Sequence, residues 1–193
     1  MKKIPVFIKM LLIFVICLSA SGIGQYIFGC TQNTLAYYFA LFLGYIAIHF
    51  LVMFFSAPIV QMVFQKKFDY DSFWFRSKAF EKKLYQILKV KKWKNIVPTY
   101  DKREYALKEE ELEQVIHNMC HAEVTHEVIM LTGYFPVLLG QQISHWGILL
   151  MMSFLFSLVH LPFIFIQRYN RPRVIRLYKK ANNHNAKEWT RSI

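Results

Sequence analysis

From Met10 to Gln65 the chain carries no Asp, Glu, Lys or Arg. An uncharged apolar run of this kind reads as membrane-spanning helix, because about 20 apolar residues cross about 30 Å of hydrocarbon at about 1.5 Å per residue. Four stretches meet that description with unequal strength: Met10 to Phe28, Leu35 to Phe64, Val124 to Ser144, and Trp146 to Ile166. The third carries His126 and Glu127 near its start, and the fourth holds His160 and Pro162 but no charge. The first also has the layout of a signal peptide, with Lys2 and Lys3 ahead of an apolar run that ends in Ser19-Ala20-Ser21-Gly22. The three apolar stretches that follow favour a span instead. Composition agrees: 55% of residues are hydrophobic and only 19% charged, against about 25% in soluble domains. Disorder, which combines high net charge with low hydrophobicity, is excluded. Cys17, Cys30 and Cys120 are too few and too scattered for a disulfide framework or a CxxC site.

The placement of Lys and Arg predicts the topology. Lys2, Lys3 and Lys9 precede the first stretch, and Gly29 to Thr34 has no charge. Residues 65–123 hold thirteen Lys/Arg, the turn at Gln141 to His145 holds none, and the tail after Ile166 holds eight. Basic and neutral sides alternate, so both termini and the long middle segment are expected on the cytoplasmic face of a cell membrane. The expected fold class is an all-α integral membrane protein, with four transmembrane helices and a cytoplasmic amphipathic helical segment. Its parts are two N-terminal spans (1–64), a basic interfacial segment (65–123), two C-terminal spans (124–167) and a basic cytoplasmic tail (168–193).

Within the middle segment Phe73, Phe80, Leu84, Ile87 and Leu88 recur at helical spacing, while Lys78, Lys82, Lys83 and Lys89 occupy other faces. With Trp74, Phe75 and Trp93 as interfacial aromatics, this predicts a basic amphipathic helix on the inner leaflet. A solvated helix over the cytoplasmic end of the bundle fits the same pattern. A second helix is expected to begin in the Glu109–Glu113 cluster and run into the third span, with Pro98 separating the two.

Ionisable groups at membrane depth are costly and are candidates for function. Glu123, His126 and Glu127 share one helix face, with Glu123 about 60° from His126 and about 40° from Glu127. Three chemistries suit them. A divalent metal site is one, although the pattern is HxExxH rather than HExxH and no partner motif appears on another span. A general-base pair is the second, with His126 taking a proton from a hydroxyl and Glu123 orienting it. A structural polar network is the third. Further on, Gln167-Arg168-Tyr169-Asn170-Arg171-Pro172-Arg173 follows the last span at the same cytoplasmic level. Arginine forks there can clamp phosphate or carboxylate, and anionic lipid headgroups are nearer partners than nucleic acid. His49 and His160 read as helix-packing histidines.

Taken in order, Phe75-Arg76, Phe80-Glu81, Lys91-Lys92-Trp93-Lys94 with Pro98, Ala122-Glu123 with His126, and the QRYNRPR run from Gln167 to Arg173 resemble the glycosyl-4,4'-diaponeurosporenoate acyltransferase family. These are small bacterial membrane enzymes of carotenoid synthesis. The resemblance covers about Phe75 to Leu177, and QRYNRPR is its most specific piece. It implies transfer of a fatty acyl chain onto a sugar hydroxyl of a carotenoid glycoside or related glycolipid at the cytoplasmic leaflet. His126 would be the catalytic base, with Glu123 as its orienter. Arg168, Tyr169, Asn170, Arg171 and Arg173 would bind substrate, and Arg76, Glu81, Trp93 and Lys94 would close the site. The implied partners are an activated acyl donor and a lipid or glycolipid acceptor, with no cofactor and no metal. No Ser or Cys sits in a nucleophile elbow, which favours direct transfer over an acyl-enzyme. The rival is a non-enzymatic lipid-binding or assembly protein whose polar cluster is structural.

Overall fold

The computed structural model describes residues 6–64, 68–96, 112–139 and 146–191. Among these, all regular structure is helical: α1 (Val6–Thr31), α2 (Thr34–Phe64), α3 (Ala79–Ile87), α4 (Val90–Trp93), α5 (Leu112–Thr132), α6 (Phe135–Leu139) and α7 (Trp146–Arg191). Among the described residues, three helices are long and apolar enough to cross a membrane: Ile8–Thr31, Thr34–Phe64 and Trp146–Asn182. The lysine-rich N-terminus and the link at 140–145 lie outside the described residues, as does the Glu109–Glu111 part of the acidic cluster.

The third expected span, Val124 to Ser144, is not one helix. α5 starts upstream, at Leu112, and stops at Thr132; a turn at Gly133 and Tyr134 leads into the short α6. The reason is local. Although prolines are carried inside α2 and α7, Gly133 favours a helix end, and Pro136, with no N–H for the carbonyl four residues back, fits best in the first turn of a new helix. It sits there, as the second residue of α6.

The chain divides into two compact units. The first comprises Met1–Ile59 and Val128–Val159. In it α1 and α2 meet through small residues. A Cβ on Gly24 would lie 3.0 Å from Ala40 Cβ, and one on Gly44 would lie 3.0 Å from Ser21 Oγ. Ser21 Oγ donates to the Ala40 carbonyl at 2.8 Å. Close backbone approach of this kind is how helices associate where burial of apolar surface gives no drive. The two helices are joined by Gln32 and Asn33, whose Oδ1 caps α2 by accepting from the Leu35 and Ala36 amides. Tyr45, Leu149 and Met152 form the buried centre of the unit, with Phe156 packed against Tyr45 and His49. The broken end of α5 is satisfied here as well: the Gly133 carbonyl accepts from Tyr45 Oη at 3.1 Å and from Ser153 Oγ at 3.0 Å. A carbonyl released by a helix end in apolar surroundings needs such partners.

The second unit comprises Val60–Glu127 and His160–Ile193. Its spine is the first part of α5, where Leu112, Val115, Ile116, Met119 and Cys120 are buried at the three-to-four-residue spacing of one helix face. The same stripe continues into Glu123, which has no exposed surface at all. α7 does not end where the sequence places a tail. It runs as helix through Pro162 and Pro172 to Arg191, across the boundary drawn at residues 167 and 168.

The amphipathic segment is shorter than its pattern predicts. Phe73 to Phe75 lie in turns, α3 begins at Ala79, and Lys89, at φ 51°, breaks the path before α4. Its sides are also inverted relative to a soluble helix. Glu81 and Tyr85 face the interior, while Phe73, Trp74, Phe80 and Ile87 are exposed. Apolar residues gathered on the outside mark a surface that meets membrane or partner.

Candidate functional site

The burial of Glu123 dictates what surrounds it. A carboxylate removed from water must be paired, and its pairing must satisfy both oxygens. α7 provides the pairs three residues apart, on one face: Arg168 Nη1 donates to Glu123 Oε1 at 2.5 Å, and Arg171 Nη1 donates to Glu123 Oε2. Arg171 is itself only 1% exposed. Its Nη2 donates to the Phe75 carbonyl at 2.9 Å, and its guanidinium stacks on the Phe75 ring.

Arg168 ties in the other elements. Nε and Nη2 donate to Glu81 Oε1 at 3.0 and 2.5 Å, Nη1 to the Trp74 carbonyl, and Nη2 to the Arg76 carbonyl. A guanidinium has five N–H donors, and with the bond to Glu123 all five are engaged. The phosphate-clamp role expected for Arg168 would therefore require breaking this network. Here it fastens α3, the 74–76 turn and α5 to α7. Glu81 completes the circuit by accepting from Tyr85 Oη at 3.0 Å through its second oxygen. Burial, then the neighbouring Glu81 charge, push the Tyr85 hydroxyl well above its ordinary value, so it stays protonated and donates.

The Glu123–His126 pairing expected from one helix face is not formed. Both Glu123 oxygens face arginines, and His126 Nδ1 instead lies 3.0 Å from His160 Nδ1, with its ring stacked on Phe163 at 4.5 Å. One imidazole of such a pair must donate and the other accept. His160, read from sequence as a packing residue, is thus the partner of His126. Only its place near the cytoplasmic end of an apolar stretch hinted at it.

Other expected residues fall around this core. Lys94 Nζ donates to Asn170 Oδ1 at 2.8 Å and approaches the Tyr169 ring; burial, then Arg173 and Lys91, lower its pKa. Trp93 Nε1 donates to the Leu88 carbonyl, which places its indole in the α3–α4 corner. Arg76 contributes its carbonyl to Arg168, while its own Nε donates to the Asp71 carbonyl. Arg173 is exposed. Glu127, one residue beyond His126, accepts from Trp74 Nε1 at 3.1 Å. Burial pushes the Cys120 thiol up to about 11, which keeps it out of the thiolate form a nucleophile needs. Among the described residues no group of three His, Cys, Asp or Glu side chains gathers at metal-ligand distance.

An apolar groove of about 530 Å³ abuts this network. Phe73, Trp74, Phe80, Leu84 and Phe165 line it, and its polar end is formed by Glu127, Glu81, Tyr85 and Arg168. A second apolar concavity, of about 460 Å³, shares Trp74 and Glu127 with the first.

Comparison with curated proteins and with solved structures gave no match. Comparison with family models gave one, over residues 71–180, to glycosyl-4,4'-diaponeurosporenoate acyltransferase. That stretch contains the Arg168–Glu81–Glu123–Arg171 network, the His126–His160 pair and the whole lining of the 530 Å³ groove. It is more than half of the 193 residues, so this chain is an enzyme and belongs to the glycosyl-4,4'-diaponeurosporenoate acyltransferase family.

Proposed function

We propose that the protein moves a fatty acyl chain onto a sugar hydroxyl of a carotenoid glycoside or related glycolipid at the cytoplasmic leaflet. The observation that carries this reading is the 530 Å³ apolar groove whose polar end is made by Glu127, Glu81, Tyr85 and Arg168. Its size falls in the range of ligand-binding clefts, and its wall suits an acyl chain. The exposed Phe73, Trp74, Phe80 and Ile87 would seat α3 and the preceding turns in the leaflet, whose anionic lipids the nearby lysines would meet.

In the proposed step, the acceptor oxygen attacks the acyl carbonyl, the new C–O bond forms, and the bond to the leaving group breaks. His126 takes the hydroxyl proton and returns it to the leaving group. This requires the tautomer in which His126 Nδ1–H donates to His160, leaving the Nε2 lone pair as base. Arg168 and Arg171 act as a fixed framework that positions α5. Cofactor and metal have no part in the step. A second reading rests on one observation: Glu127, unlike His126, lines the groove, so its carboxyl is an alternative base.

The experiment is lipid mass spectrometry of cells with and without the protein, followed by the purified protein with a glycolipid acceptor. A sugar ester should appear only with the protein. If no ester forms, or the lipid profiles coincide, the proposal fails.

The same proposal keeps both termini cytoplasmic. Three full crossings would put them on opposite sides, against the alternation of basic and neutral segments. The remaining crossing is assigned to the end of α5 with α6, on either side of the turn at Gly133 and Tyr134. The two hydroxyls on the Gly133 carbonyl make such a broken helix tolerable in lipid. A reporter fused after Ile193 should be active only in the cytoplasm; activity outside the cell would refute this path.

A further inference from the structure

The apolar groove shares part of its lining with a neighbouring site. Lys78, Glu81, Tyr85 and Arg168 also line another concavity, of about 720 Å³, beside α3, α4 and the stretch of α7 from Arg168 to Arg176. Charged side chains are more numerous around it than around the first. Lys82, Lys89, Lys91, Lys92 and Arg176 surround it, and Glu81 is its one lining carboxylate. Both oxygens of Glu81 are already engaged by Arg168 and Tyr85. Among the described residues, none of these four lysines has a carboxylate partner. Gathering like charges around a concavity costs folding free energy and raises the local concentration of anions.

Two details say what kind of anion. Tyr85 and Tyr169 both line this groove and meet edge to face at 5.6 Å, giving it an aromatic wall. Lys89 holds the corner between α3 and α4 at φ 51°, a left-handed conformation that glycine adopts without penalty. A lysine there places a charge on the groove where the backbone would be better served by no side chain. A phospholipid headgroup, with a single phosphate and no planar ring, leaves most of these features unmatched. Several phosphates and a planar base use them all.

We propose that this groove binds the carrier portion of the acyl donor, and that the donor is a nucleotide-bearing acyl thioester of the coenzyme A class. The inference rests on the acyl-transfer reading above and deepens it. The acyl chain occupies the apolar groove, the phosphorylated nucleotide occupies the basic one, and the thioester lies where the two share Glu81, Tyr85 and Arg168. In the reaction the acceptor oxygen forms the C–O bond, the C–S bond breaks, and the hydroxyl proton passes through the general base to the departing thiolate.

The test uses the purified full chain in neutral detergent, with S-hexadecyl coenzyme A, a thioether that cannot react, as probe. The probe should bind, adenosine 3',5'-bisphosphate should compete, and rising salt should weaken both. The double variant Lys82→Glu/Lys92→Glu, on two exposed side chains, should bind about tenfold or more weakly. Lys89→Gly, which relieves the positive φ, should fold at least as well and still bind a few-fold more weakly. Unchanged affinity in all variants would overturn the site. So would binding to phosphatidylglycerol vesicles that these substitutions abolish while the nucleotide competes with nothing. Ester formed from a phospholipid or an acyl carrier protein, but not from the thioester, would refute the donor and leave acyl transfer standing. No ester from any donor, with the thioether bound as expected, would leave the groove's ligand standing and sink the acyl-transfer reading.

Discussion

Glu123→Ala should destabilise the protein by about 3–5 kcal/mol, the effect of removing one partner from a buried ion pair. Glu123 has no exposed surface and Arg171 is 1% exposed, so water cannot take the carboxylate's place. Arg168 retains Glu81 and two backbone carbonyls after the change. Arg171 retains only the Phe75 carbonyl, the ring beneath it and a long contact to Cys120 Sγ. The loss therefore falls mainly on Arg171. Glu123→Gln, which keeps the shape and one acceptor, should lie between the wild type and the alanine variant. The double change Glu123→Leu/Arg171→Leu should recover much of the stability, since replacing both members of a buried pair by apolar residues is often close to neutral. Thermal unfolding in detergent checks the series. An alanine variant that melts with the wild type would show that the pair does not hold the site together.

How much of this the residues revealed in advance depends on how local the deciding physics is. The first two spans and their uncharged two-residue corner follow from Met10–Gln65 alone, because a long uncharged stretch has few alternatives. The third span was misread for the same reason that the first two were legible. Hydropathy averages over Gly133 and Pro136, whereas the helix breaks between them. Glu81, Glu123, Arg168 and Arg171 come from three separate family pieces, and ion pairs join them in the fold. Helical periodicity put Glu123 and His126 on one face but could not say what each faced. The answer lay on α7, where arginines at positions 168 and 171 claimed the carboxylate and His160, more than two turns earlier, claimed the imidazole. The inward position of Glu81 and Tyr85 was legible only as a four-residue spacing beneath a louder apolar pattern that turned out to face outward.

His126→Ala should lower acyl transfer by about 10²–10⁴, the usual range for a positioned general base, with normal protein level and melting behaviour. The ring lies against Phe163, and its Nδ1 is held by His160, so the substitution removes a positioned base while the four-membered ion network is untouched. The neutral imidazole is the active form, so activity should fall on the acid side as the ring takes up a proton. His160→Asn keeps an acceptor for the His126 Nδ1–H but loses the ring, and should cost about tenfold while leaving that acid limb in place. Glu127→Gln keeps an acceptor for Trp74 and removes the one groove carboxyl that could replace His126. It should leave the maximal rate within a few-fold of wild type. If Glu127→Gln abolishes the ester while His126→Ala spares it, the base is the carboxyl at the groove and the histidine pair is packing; the reverse result assigns the proton to His126.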